Sequence, residues 1–251
     1  MFSELRHRDP LLFWIGAAML LAFVVCALLS IGDTRLVTGV NPWIKPMKFL
    51  VSIPIFLWSV AWFMPETRPN PRLRAIIRWT VGLSMSLEAV CIVLQAARGT
   101  TSHYNIATMF DAVIFYVMGA GVLANSIAMV MFLWLLRRDT PARRAGYLWG
   151  VRLGTAIFMI GSIEGALMII NNAHTIGAPD GGAGLPVVNW STAAGDLRVA
   201  HFFGMHALQA LPLLGFLTNS RNLVAATSIL GLAAIGGLLW MAFQGRPLIA
   251  M

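Results

Sequence analysis

Seven runs of about twenty mostly apolar residues dominate the chain, near 11–31, 48–64, 76–97, 107–136, 147–170, 197–217 and 222–243. About twenty helical residues cross the ~30 Å of a bilayer's hydrocarbon, where each backbone N–H and C=O must be satisfied within its own segment. The pattern therefore predicts an all-α polytopic membrane bundle of seven transmembrane helices, a single transmembrane domain over residues 1–251. Composition agrees, since 58% of residues are apolar and 11% charged, against about a quarter charged in soluble domains. The second run is the least regular: Pro54 interrupts it, and "NPWIKPMKF" puts Lys45 and Lys48 at its start.

The formal net charge of +8 does not read as a nucleic-acid surface, because Lys and Arg fall in short clusters between apolar runs, where they orient a membrane protein. With the N-terminus cytoplasmic, the inner loops hold Arg6, Arg8, Arg68, Arg72, Arg74, Arg78, Arg137, Arg138, Arg143, Arg144 and Arg221. The outer side holds Arg35, Lys45, Lys48, Arg98, Arg198 and Arg246. This bias puts the C-terminus extracytoplasmic. The first run lacks a small-x-small cleavage pattern and is read as a retained span. Val25 before Cys26 stands where a lipoprotein site wants a small residue. Cys26 and Cys91 lie in separate apolar runs and form no CxxC motif.

Polar residues within the spans collect in the outer half. In "LSMSLEAVCIVLQAAR", Ser84, Glu88, Cys91, Gln95 and Arg98 recur at i, i+4, i+7, i+11 and i+14 and share one helical stripe that must face protein or water. "SLEAVCIVLQAAR" and "SIEGALMIINNAH" align without a gap, pairing Glu88 with Glu164, a sign of duplicated helix pairs. In "DLRVAHFFGMHALQALPLLG", Arg198, His201, His206 and Gln209 share one arc of the sixth span, with His206 about 7.5 Å deeper than His201. The fourth span contributes Asp111 roughly one turn in and Asn125 near its face, and His103 precedes it in "GTTSHYN". His206, His201, His103, Glu88, Glu164 and Asp111 are thus candidate metal or haem ligands. Lys48, Arg98, Arg198, Gln95 and Gln209 are candidate groups for binding a substrate or anion. Glu88, Glu164 and His206 are expected to point inward at similar depth. The Gly- and Pro-rich loop "NNAHTIGAPDGGAGLPVVNWSTAAGD" is expected to cover the outer mouth of their cavity.

The segments "NPWIKPMKF", "RGTTSHYN" and "GDLRVAHFFGMHALQALP" together resemble an uncharacterised family of bacterial multi-pass integral membrane proteins. The resemblance implies the bacterial cytoplasmic (inner) membrane and carries no activity or ligand. The chain departs from seven-helix zinc hydrolases of the ceramidase and adiponectin-receptor type, whose His-x-x-x-His is here His-x-x-x-x-His. Its last span has no lysine for a retinal Schiff base.

Three functions fit these residues, and none of them names a reaction. The first is a site binding a zinc or iron ion, or haem b, for redox or hydrolytic chemistry, since imidazole and carboxylate suit those metals. The second is a transporter or proton-coupled carrier of a small anionic solute. The third is a structural or assembly subunit of a membrane complex, in which the polar stripes join helices. The expected partners are the lipid bilayer and a second copy or another membrane-complex subunit, not nucleic acid.

Overall fold

The computed structural model describes residues 2–136 and 144–250. Helices α1 (Phe2–Arg8), α2 (Pro10–Gly32), α3 (Ile44–Phe63), α4 (Pro71–Ala97), α5 (Met109–Leu135), α6 (Ala145–Asn171), α7 (Leu197–Thr218) and α8 (Arg221–Phe243) follow in order. Two short strands, β1 (Thr175–Ile176) and β2 (Gly195–Asp196), lie between α6 and α7. The seven helices α2 to α8 are each long and apolar enough to cross a membrane, with a 3-10 turn extending the α3 span to Glu66. All seven expected spans are present within a few residues of their expected ends. Pro54 does not break its span: α3 runs through it. The arginine-rich loop at 137–143, counted above on the inner side, lies outside the described residues.

Local chemistry sets the helix starts. Asp9 accepts from Leu12 N at 3.1 Å with Pro10 at the first helical position of α2, and Asn70 accepts from Leu73 N at 3.1 Å before Pro71 of α4. Each side chain satisfies an orphan N–H, and each proline removes one that would lack a partner anyway. Asp9 is almost fully buried, and that burial pushes its carboxyl pKa up despite the bond from Leu12 and Arg78 at 3.8 Å. Ser220 caps α8 in the same way.

The chain forms two compact units, Met1–Leu135 and Leu136–Met251. In the first, α2 packs on α3, α4 on α5, and α3 on α4; its buried side chains include Leu12, Leu50, Leu57, Ile77, Ile92, Met118 and Phe132. The short α1, absent from the sequence-based expectation, is fastened to this unit by Leu5, which is buried, and by Arg8, which donates to the Trp62 carbonyl at 2.8 Å.

The second unit is built on α6 against α7, with α8 packed on both. Its seam is backbone on backbone. A Cβ at Gly161 would lie 2.8 Å from the Gly204 carbonyl carbon, and one at Gly150 would lie 2.4 Å from the Leu211 oxygen. Gly146, Gly150 and Gly154 repeat every four residues, so they share a face of α6. Such small-xxx-small rows let helices approach until van der Waals contact replaces the hydrophobic drive that lipid cannot supply.

Candidate functional site

The polar stripe of α4 faces protein as expected: Ser84, Glu88, Cys91 and Gln95 are all buried. Around its C-terminal end the first unit assembles two clusters. In one, Asp111 at the start of α5 gathers three side chains. Gln95 Nε2 donates to its Oδ1 at 2.8 Å, Arg98 Nη1 to the same oxygen at 2.5 Å, and Thr108 Oγ1 to Oδ2 at 2.6 Å. Arg98 also donates to Gln95 Oε1 and lies over the Phe110 ring, 4.7 Å from its centroid. This ring of donors offsets the cost of placing a carboxylate in the bundle. Its members therefore hold one another.

The other cluster joins residues that are far apart in sequence. His103 lies in the α4–α5 connection, fixed by Asn105, whose Nδ2 donates to Thr100 Oγ1 at 2.9 Å and to the Thr101 carbonyl at 3.1 Å. Lys45, in the first turn of α3, places Nζ 3.1 Å from His103 Nδ1, and Ser102 Oγ lies 3.0 Å from the same nitrogen. An ammonium group can only donate. Nδ1 is therefore the acceptor, and the ring proton of the neutral imidazole sits on Nε2. That Nε2 lies 3.5 Å from Glu88 Oε1. The other oxygen of Glu88, Oε2, is buried without a hydrogen-bond partner. Thus Lys45, His103 and Glu88 form a line running from the connection to the buried stripe. On α5, the buried Asn125 likewise has an unpartnered oxygen, Oδ1.

In the second unit, Glu164 is buried on α6 and its Oε2 also lacks a partner. His201 Nδ1 lies 2.7 Å from the Gly161 carbonyl. A carbonyl only accepts, so the neutral ring carries its proton on Nδ1. His206 is half-buried, with its ring centroid 4.3 Å from that of Phe202. The fully buried side of α7 is the apolar one, including Ala200, Gly204, Leu208 and Leu211. Gln209, one turn beyond His206, is half-buried as well.

Arg198 is held by its neighbour: Nη2 donates to Asp196 Oδ2 at 2.5 Å, Nε to Oδ1 at 2.9 Å, and Nη2 also to the Asn189 carbonyl at 2.5 Å. The long loop folds back on its own unit. Thr175 and Ile176 pair antiparallel with Asp196 and Gly195, and Trp190 meets Phe202 edge to face at 5.3 Å. His174 and Asp180 clasp its first turn at 2.5 Å.

Of the expected site residues, the first unit brings together Glu88 with His103, and Gln95 and Arg98 with Asp111. Lys48 is half-buried one turn along α3 from Lys45. The second unit carries Glu164, Arg198, His201, His206 and Gln209 on α6 and α7. Among the described residues, no group of three or more His, Cys, Asp or Glu side chains is placed to hold a metal ion. His103 has Lys45 and Ser102 at one ring nitrogen and faces Glu88 with the other, so neither is presented as an axial haem ligand. Sequence reading undervalued Lys45 and missed Ser102 and Thr108. The available signal was that "NPWIKPMKF" and "RGTTSHYN", two of the three distinctive segments, are the ones that meet at Lys45 and His103.

Comparison with protein-family models, with curated proteins and with solved structures finds no match. The seven apolar helices make the chain a multi-pass integral membrane protein.

Proposed function

We propose that the protein is a proton-coupled carrier of a small anionic solute in the bacterial inner membrane, with its N-terminus cytoplasmic as the arginine distribution favours. The observation that carries this reading is the line from Lys45 through His103 to Glu88, ending on a buried carboxyl oxygen without a partner. Imidazole can release a proton from one nitrogen while accepting another at the opposite one, and its ordinary pKa suits that exchange near neutral pH. Here Nε2–H passes its proton to Glu88 Oε1 as Lys45 Nζ gives one to Nδ1; a hydronium ion from bulk water reprotonates Lys45, and the cycle closes when Glu88 releases its proton from Oε2 and a flip of the imidazole ring returns the ring proton to the Glu88 side. A small tilt of the ring closes the 3.5 Å gap to hydrogen-bond range, about 3 Å. Lys45 and Lys48, one turn apart on α3, bring positive charge to this end of the unit, which suits an anionic solute.

A scaffold explains this line less well, because a contact that only joins helices needs no titratable imidazole and carboxyl set in line with a lysine. The test is proton uptake into liposomes carrying the purified protein, driven by an imposed potential and read with an internal pH dye. Glu88→Gln and His103→Gln are expected to lower uptake about tenfold or more at unchanged folded yield, because neither amide titrates near neutral pH. Equal uptake by wild type and both variants would overturn the proposal.

A further inference from the structure

At the opposite end of the first unit from the Glu88 cluster, α1 and the start of α2 form a groove lined by Ser3, Arg6, His7, Pro10 and Trp14. Arg6 and His7 are exposed, and among the described residues neither has an ion-pair or hydrogen-bond partner. Glu4, the one acidic residue of α1, is taken by Arg8 at 2.9 Å. The groove wall is anchored, since Arg8 lies over the Trp62 ring, 4.1 Å from its centroid, and Phe2 meets Trp58 edge to face at 5.7 Å. Below the groove, Trp14, Ala18, Leu21, Val25 and Leu28 are all exposed. They recur at i, i+4, i+7, i+11 and i+14, one apolar stripe of about 21 Å. Trp14 belongs to both groove and stripe.

We propose that this groove and stripe bind one anionic phospholipid, its phosphate against Arg6, His7 and Ser3 and one acyl chain along Trp14, Leu21 and Leu28. The guanidinium fork matches a phosphate's oxygens, and a tryptophan near the start of a span sits at headgroup level. The stripe is longer than the ~15 Å of one leaflet's hydrocarbon, so a full acyl chain can lie on it. A zwitterionic lipid carries the same phosphate but brings a cation toward Arg6, so the net negative headgroup is favoured.

The experiment is native mass spectrometry of the detergent-purified full chain with equal amounts of phosphatidylglycerol and phosphatidylcholine of identical acyl chains, with glycerol phosphate as a third arm. Wild type is expected to retain one phosphatidylglycerol in preference to phosphatidylcholine. Arg6→Gln is expected to lower that preference about fivefold, the effect of one basic residue at an anionic surface. Arg6→Lys should restore most of the preference, and Arg246→Gln, with the same loss of charge elsewhere, should leave it unchanged. An equal loss in Arg246→Gln would show a general charge effect and overturn the site, as would wild type without lipid preference. Glycerol phosphate retained as well as the lipid would show a free-anion site and overturn the role of the stripe. If Arg6→Gln folds poorly, Trp14→Ala reads the same preference through the acyl contact and is expected to reduce it.

Discussion

Each unit buries one glutamate within a span, and in Glu88 and Glu164 alike one carboxylate oxygen is left without a partner. Their surroundings differ. The first unit fills the C-terminal end of α4 with hydrogen-bonding side chains: Gln95, Arg98 and Thr108 on Asp111, and Lys45 and Ser102 at the His103 ring that faces Glu88. The second places glycines at the close approaches of the α6–α7 seam, so that Gly161 and Gly204 meet through their backbones. Close packing joins helices without burying charge, whereas a polar cluster must offset desolvation with every bond it makes. A chain able to build the first kind of seam has no packing need for the second. The polar cluster is therefore the part of the fold to which chemistry is best assigned.

The largest expected effect strikes the polar cluster. Asp111→Ala leaves Gln95, Arg98 and Thr108 without their common acceptor. Breaking a buried pair costs about 3–5 kcal/mol, and the lower end applies because Arg98 is partly exposed. Thermal unfolding in detergent should show a loss of about 3 kcal/mol. A loss under about 1 kcal/mol would mean that the network is not what holds the end of α4 to α5.

Next in size is the glycine seam. Gly161→Ala forces a Cβ to within 2.8 Å of the Gly204 carbonyl carbon, backbone that cannot turn aside as a side chain can, at about 2–3 kcal/mol. The matching change in the first unit, Gly121→Ala, places its Cβ 3.8 Å from Leu87 Cδ2 and the Ser84 oxygen, an ordinary contact. It should be close to neutral. Similar melting temperatures for the two variants would erase the contrast between the units.

How much of this was legible in the sequence follows from range. The spans were readable because length and hydropathy alone decide membrane insertion, and the inward face of Ser84, Glu88, Cys91 and Gln95 because helical period is local. The Gly146, Gly150 and Gly154 row is equally local, but glycines carry no side-chain chemistry to mark it as a seam. The meeting of Lys45 with His103 was out of reach, since fifty-eight positions separate them and no period connects a helix start to a loop. His206 stands out in the sequence as the deepest histidine of its span; in the structure it is half-buried against the Phe202 ring, while the fully buried side of α7 is apolar, a division that depth along the helix does not reveal.

The two glutamates provide the third comparison. Glu88 faces His103, which in turn meets Lys45, whereas Glu164 has no hydrogen-bond or ion-pair partner among the described residues. Where Glu88→Gln is expected to cost about tenfold or more in proton uptake, Glu164→Gln should leave uptake within about twofold. Equal losses in the same liposome assay would make the two sites one functional system and give the sequence alignment of their helices a mechanistic meaning.

The smallest effect lies in the loop of the second unit, where Asp180 accepts from the backbone N–H of His174 and Thr175 at 3.1 and 3.0 Å, from Thr175 Oγ1 at 2.7 Å, and meets His174 Nδ1 at 2.5 Å. Burial alone would raise its pKa, but the bonds from His174 and Thr175 outweigh it and hold the carboxyl well below the usual carboxylate range. A folded pKa depressed in this way means that the charged form is favoured by folding. The contribution is complete above the ordinary Asp value of about 3.9 and fades as pH falls from there toward the depressed folded value. Hydrogen exchange at the Thr175 amide should accordingly stay slow, relative to an unstructured reference, from neutral pH down to about pH 4, then lose protection on further acidification. Asp180→Asn keeps the shape but not the charge, and should cost about 1–2 kcal/mol of local protection at neutral pH while abolishing the acid dependence. Protection that is unchanged in the variant would show that the loop is held by the β1–β2 pairing and by Trp190 on Phe202, with the His174–Asp180 clasp adding nothing to it.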